Sequence, residues 1–210
     1  VALTKPLITQ TALAVLDDEG LDGLTLRRIA DRLGVKAPAL YWHFPDKKAL
    51  VDEMATELMR RSQDAPIDTA DWRELISQSS RGLRALLRSH RDGARVFSGS
   101  RLTDVSVAAG MERPLRLLID SGFTERDAKL AWTTMRDLVV GFVIEEQEVY
   151  LADGSPRPEY DAAERARQLD PARHPLAARS GPTSWGSPDE RFDDVIRFLI
   201  DGMAARLDQP

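Results

Sequence analysis

The stretch from Leu24 to Phe44, LTLRRIADRLGVKAPALYWHF, leaves the chain few ways to fold. Thr25 stands where a hydroxyl can cap a helix over Leu26–Leu33, and Gly34 stands where a helix closes on a left-handed residue. The residues GVKA make a short turn, and a second short helix follows from Ala37 or Pro38 to His43. Leu24, Ile29, Ala30, Leu33, Val35 and Leu40 fall where apolar side chains would seal such a unit from within. Leu40 and Phe44 lie four apart and point to one side of a helix, so Tyr41, Trp42 and His43 between them cannot share that side. Three aromatics and a histidine within ALYWHF therefore need something other than one core to face. Arg27, Lys36, Ala37 and Ala39 are outward on the same reading.

Helical patterning runs through the rest of the chain. A first helix is expected from about Pro6 to Asp18, with Thr4 as its N-cap and Gly20 as its stop. Leu7, Ile8, Ala12 and Leu16 are its buried stripe, with Val15 on the edge. A long helix follows FPDKKAL to about Gln63, and DAPIDTAD is the first composition shift and the expected hinge. Beyond it, Trp72–His90, Leu102–Asp120, Glu125–Tyr150 and Asp189–Leu207 read as long helices. In SGFTERDA, Gly122 ends one helix and Thr124 caps the next. Residues 151–188, rich in Pro, Gly and Ser, read as a mobile connection with one short helix around Ala162–Gln168. The expected fold is all-α: a three-helix head over 1–46 with a helix-turn-helix, a connecting helix over 47–65, and a helical body over 66–207.

A helix, a short turn and a second short helix is the arrangement that places its second helix in the major groove of DNA. Thr25, Lys36, His43, Lys47 and the polar tips of Tyr41 and Trp42 are donors suited to phosphate. Arg27 is the guanidinium best placed to bridge guanine O6 and N7. The charge distribution agrees. The first fifty residues hold seven Lys and Arg against six Asp and Glu, on a chain whose net charge is −5. With no cysteine, thiol catalysis and thiolate metal sites are excluded. No apolar run is long enough to span a bilayer and no leader pattern opens the chain, so a cytoplasmic protein is expected.

The segment GLDGLTLRRIADRLGVKAPALYWHFPDKKALVDEMA resembles the DNA-binding head of the TetR family of bacterial repressors. RSHRDGARVFSGSR, SGFTERDA and GFVIEEQE resemble successive pieces of the body of its tetracycline-responsive branch. The resemblance implies DNA contacts at Thr25, Arg27, Pro38, Tyr41, Trp42, His43 and Lys47. Ala37 and Ala39 depart, since that branch carries an amide and a hydroxyl there. Methyl groups cannot hydrogen-bond a base but can touch a thymine methyl, so a different operator is expected. It also implies a homodimer on a palindromic operator, joined by the helix at 125–150 and by Phe192, Val195, Ile196, Leu199 and Met203 of the last helix.

The resemblance further implies a small-molecule inducer in the body. In the tetracycline-responsive branch a histidine is the one direct protein ligand to the magnesium that carries the drug, and Phe97 stands at that position here. Gln63, Ser79, Leu83, Pro114 and Asp137 also replace that branch's drug-contacting residues, while Ser100, Arg101 and Glu145 keep its chemistry. A ring without a lone pair cannot bind a cation that demands octahedral oxygen ligands, so no metal and no cofactor are expected. The expected lining is Leu83, Phe97, Met111, Leu115 and Trp132 with Gln63, Ser79, Ser100, Arg101 and Asp137 as polar contacts. That suits a largely apolar polycyclic inducer other than magnesium-tetracycline. The alternatives are a constitutive regulator whose body only dimerises, and an enzyme. His90, Arg91, Asp92, Ser98 and Ser100 cluster in sequence, but FSGSR lacks the first glycine of a nucleophile elbow and follows no strand, so no catalysis is expected. His90 reads more simply as a cation at a helix C-terminus.

Overall fold

The computed structural model describes residues 2–63, 67–151, 154–160, 167–179 and 187–207. Among them every regular element is helical, apart from one isolated antiparallel bridge between Tyr150 and Pro156. The all-α expectation holds.

Helix α1 spans Lys5–Gly23, and Thr4 caps it by accepting a hydrogen bond from the Leu7 N–H at 3.4 Å. Gly20 breaks it, with a φ of 74°. A Cβ at Gly20 would also come within 2.9 Å of the Asp92 carboxylate, so glycine is required twice over. Val15 is fully buried rather than on an edge, and Leu7 is half-buried. Helix α2 is Leu26–Leu33, capped by Thr25, whose Oγ1 accepts from the Arg28 N–H at 3.2 Å. Gly34 ends it with a φ of 68°, and the Val35 N–H returns to the Ala30 carbonyl at 3.0 Å. Helix α3 is the four residues Pro38–Tyr41, and α4 is Lys47–Gln63, whose first turn is capped by Asp46 accepting from the Ala49 N–H at 2.7 Å.

Two expectations for the middle of the chain need correction. Helix α5, Trp72–Arg88, is followed by the short helix α6, Gly93–Phe97, which was not expected. The expected single helix Leu102–Asp120 is two pieces, α7 at Ser106–Ala109 and α8 at Glu112–Asp120. Residues Arg101 to Asp104 bond sideways to α4 instead of coiling on themselves, which removes them from any helix. Helix α9 runs Glu125–Val149 and is capped by Thr124, as expected. A 3₁₀ turn at Pro158–Tyr160, a short α10 at Pro175–Arg179 and the long α11 at Pro188–Leu207 complete the described elements. Most of the short helix expected at Ala162–Gln168 lies outside the described residues.

Contacts divide the chain into two units, Val1–Ile144 and Glu145–Pro210. In the first, Ile8, Leu16, Leu24, Ile29, Leu40 and Leu50 are fully buried in a core that continues through Met54 and Leu58 of α4 to Val96 of α6. The head therefore shares one packed interior with the helix that leaves it. Further on, Trp72 and Phe123 meet edge to face, with centroids 5.1 Å apart. In the second unit, Phe192, Ile196 and Met203 of the last helix are buried, while Val195 and Leu199 are half-buried and Phe198 is 84% exposed.

Candidate functional site

Two surfaces gather the sequence-predicted residues: the outer face of α2 and α3, and a cavity bounded by α4, the end of α6 and α9. On the first, Leu40 and Phe44 are buried while Trp42 is 91% exposed and Tyr41 53% exposed. An indole so fully presented to solvent packs against nothing in its own chain, which answers the question the sequence poses. Arg28 pairs with Glu19 and Arg32 with Asp18, so two of the three arginines on α2 are tied down to α1. Arg27 is exposed and makes no ion pair among the described residues, which leaves its guanidinium available outward. Lys36, Pro38 and Lys47 are exposed beside it, and His43 is half-buried. Lys47 also donates from Nζ to the Leu21 carbonyl at 2.7 Å, which clamps the start of α4 to the end of α1. Ala37 corrects the outward reading: it is half-buried and packs against the head core. Ala39 is half-buried too, so α3 presents backbone and small apolar groups between its aromatic and charged flanks.

The head is bolted to the corner between α5 and α6. Asp17 accepts from the Arg91 N–H at 3.1 Å, and His90 Nδ1 lies 3.0 Å from both Asp17 carboxylate oxygens. Arg91 donates to the Asp18 carbonyl at 3.2 Å, and Asp92 accepts from the Leu21 N–H at 2.8 Å. His90 thus faces a carboxylate on another helix, more than the helix-end role expected of it. Asp92 has a φ of 55°, a left-handed conformation that Asp tolerates better than most residues and that this corner holds in place.

The cavity has a volume of about 420 Å³, within the range of small-molecule sites. Ala55 and Met59 of α4 form one wall, Phe97 to Ser100 with Leu102 a second, and Arg136, Asp137, Val140, Gly141 and Ile144 of α9 a third. Of the sequence-predicted ligand residues the structure brings together Phe97, Ser100 and Asp137. The Ser100 hydroxyl donates to the Val96 carbonyl at 2.6 Å. Asp137 accepts two hydrogen bonds from Arg136, at 2.8 and 3.0 Å.

The other predicted contacts do not line this cavity. Gln63 donates to the Val107 carbonyl at 2.9 Å and occupies the space where a Cβ at Gly110 would stand. Arg101 contributes its backbone N–H to Asp52, and its side chain is exposed, as is that of Glu145. Leu83 is buried, and Ser79, Met111, Pro114, Leu115 and Trp132 are half-buried elsewhere in the body. Sequence reasoning missed Met59, Val140 and Ile144, whose helical spacing is that of any buried stripe. Ser98 and Gly99 stand beside Phe97 and Ser100 in FSGSR, a stretch where the sequence places predicted ligand residues close together.

A magnesium ion does not fit this lining. Phe97 offers it no lone pair, and the one carboxylate on the cavity wall is already engaged by Arg136. Among the described residues no helix is long and apolar enough to cross a membrane.

Comparison with known proteins finds family matches over both the head and the body. Residues 8–54 match the bacterial regulatory proteins of the tetR family, and residues 65–207 match the tetracyclin repressor-like C-terminal domain. The chain is 36% identical over 206 residues to the tetracycline repressor protein class C of Escherichia coli, covering 96% of this chain and 90% of that protein. A TetR variant from Acinetobacter baumannii AYE in complex with minocycline superposes with a TM-score of 0.74 at 28% identity, covering 99% of this chain and 100% of the other. The Streptomyces coelicolor TetR family protein ActR in complex with (S)-DNPA superposes with a TM-score of 0.82 at 26% identity, covering 98% of each chain.

Proposed function

The chain belongs to the TetR family of bacterial transcriptional regulators, whose members bind operator DNA as homodimers and answer to small-molecule inducers, and on that premise we propose that its inducer is an apolar, polycyclic molecule other than magnesium-tetracycline. The observation that carries the reading is the lining of the cavity. Phe97, Met59, Val140 and Ile144 supply apolar surface, and Ser98, Ser100, Arg136 and Asp137 supply a few polar contacts. Such a lining rewards burial of rings and fixes their orientation through a small number of hydrogen bonds. Relatives of similar fold hold minocycline in one case and (S)-DNPA in another, so this architecture accepts more than one small molecule.

In this reading Thr25, Lys36, Tyr41, Trp42, His43 and Lys47 grip phosphate and sugar, and Arg27 reads a guanine in each half-site. Pro38 and Ala39 offer apolar contact to a thymine methyl. Ala37, held against the core, supports them from behind. The second copy joins through α11 and α9, where exposed Phe198 adds to the apolar stripe of the last helix. Catalysis has no part in this reading: His90 and Asp92 are engaged by α1.

A thermal-shift series with 1,8-dihydroxyanthraquinone, decanoate and magnesium plus tetracycline tests the inducer class. A ligand that binds only the folded state raises the melting temperature. The polycyclic quinone is expected to raise it and to release operator DNA in a mobility-shift assay. Release by the magnesium chelate would overturn the reading.

A further inference from the structure

We propose that Arg136 selects the inducer by its charge: the molecule that fills the cavity carries a carboxylate, which pairs with the end of the Arg136 guanidinium. The proposal rests on the sensor reading above and adds the ionic group that the ring system must bear.

Of the residues that line the cavity, only Arg136 and Asp137 are charged. They are successive residues of α9, and neighbours in a helix do not face each other. Arg136 nevertheless bends onto Asp137, where Nε and Nη2 both donate to the single oxygen Oδ1, at 3.0 and 2.8 Å. A guanidinium is planar and has two edges that can each offer a pair of parallel N–H groups. Asp137 takes the side edge, formed by Nε and Nη2, with one oxygen. The end edge, formed by Nη1 and Nη2, makes no further hydrogen bond among the described residues. Asp137 thus fixes the plane of the guanidinium and leaves its second fork open. A carboxylate meets that fork with one oxygen for each nitrogen.

The apolar part of the wall continues from the same point. Arg136, Val140 and Ile144 stand four apart and form one stripe of α9, and all three line the cavity. Eight residues of helix rise about 12 Å, so the stripe is charged at one end and apolar for the next two turns. A molecule lying along it with its acid at Arg136 sets its rings over Val140 and Ile144.

Exposure decides which of the two charges reads the ligand. The Asp137 side chain is 63% exposed and keeps its water, whereas that of Arg136 is 40% exposed. Rings entering the cavity strip water from the guanidinium, and a cation that loses water requires acceptors in its place. An ammonium ligand would approach that cation with like charge. A neutral amide matches only one N–H of the fork with its oxygen and sets its own N–H groups against the other.

The test uses the full chain and isothermal titration calorimetry at neutral pH. Anthraquinone-2-carboxylate and decanoate are each compared with their primary amides, which keep the shape and remove the charge. The anthraquinone acid is expected to bind at least about ten-fold more tightly than its amide. In Arg136→Gln that ratio is expected to fall below about two-fold, and Arg136→Met to repeat the loss with no donor at all. Cooperative melting of the unliganded variants verifies their fold. An unchanged ratio in both variants, or tighter binding of 2-(aminomethyl)anthraquinone than of the acid, overturns the proposal. Equal binding of the anthraquinone acid and amide overturns it too, and leaves the polycyclic reading standing. An acid preference in the decanoyl pair alone, with neither anthraquinone bound, upholds Arg136 and overturns the polycyclic reading. No binding by any of the four overturns both.

Discussion

The outer face of α3 and the wall of the cavity are built by different means. Around α3 the fold is set by neighbours in sequence: Thr25 caps three residues ahead, Gly34 closes α2, and Asp46 caps α4. The cavity wall is set by partners far along the chain, as Asp52 holds Arg101 and Thr56 holds Thr103 across more than forty residues. The head is a locally determined structure, and the cavity is a product of assembly between α4, the end of α6 and α9.

The largest expected effect separates two residues of the head itself. Leu40 is fully buried, and Leu40→Ala is expected to destabilise the chain by about 2–5 kcal/mol in urea unfolding, because the surrounding core cannot fully collapse into the space left. Trp42, two residues on, is expected to change stability by less than about 0.5 kcal/mol when replaced by alanine. Operator binding should weaken nonetheless. An equal stability loss at the two positions would show that α3 packs its aromatics inward, and the contrast between head and wall would fail.

Arg27→Ala comes next. With Arg28 and Arg32 paired to Glu19 and Asp18, Arg27 is the arginine of α2 left for a base. Its loss is expected to weaken operator binding by about ten- to a hundred-fold while barely changing binding to random duplex, as measured by fluorescence anisotropy at one salt concentration. Equal losses on both duplexes would demote it to a phosphate contact.

Much of the head was legible in its amino acids for a physical reason. Caps, a left-handed glycine and i,i+4 spacing act within one or two turns, and a single sequence displays them. Ala37 was the exception, since its burial depends on how α3 lies on the core. The wall was legible only at Phe97 and Ser100, with Asp137 across from them on α9. The helix expected over Leu102–Asp120 failed because backbone donors at Arg101 and Thr103 found acceptors on α4, a competition that local propensity does not encode. Gln63, read as a ligand contact, is held by Val107 for the same reason.

Acid offers a direct probe of that long-range construction. Burial alone would raise the Asp52 carboxyl, but the Lys48 ammonium and the Arg101 N–H outweigh it and hold it below its ordinary value of 3.8. The folded state therefore binds fewer protons than the unfolded one. The stability this carboxylate confers is complete above pH 3.8 and is lost as pH falls through its lower folded value. Asp52→Asn is expected to cost about 1.5 kcal/mol at pH 7 and progressively less in more acid solution. A pH-independent difference would mean that the charge of Asp52 does not hold the wall.

The smallest effect concerns the third wall. Gly141 lies inside the long helix α9, lines the cavity, and would place a Cβ with nothing outside its own helix backbone and chain neighbours within 4 Å. Glycine inside a helix is less favourable than alanine by about 1 kcal/mol, so an empty position kept as glycine leaves stability unrealised. Gly141→Ala is expected to raise the melting temperature by a few degrees, since a gain of about 1 kcal/mol corresponds to roughly 2–4 °C in a chain of this size. The same methyl narrows the cavity, so the thermal shift given by a polycyclic ligand should fall. A lower melting temperature together with a weakened dimer in sedimentation would assign that space to the second copy. The wall would then be shared between protomers, and the contrast with the locally built head would become sharper still.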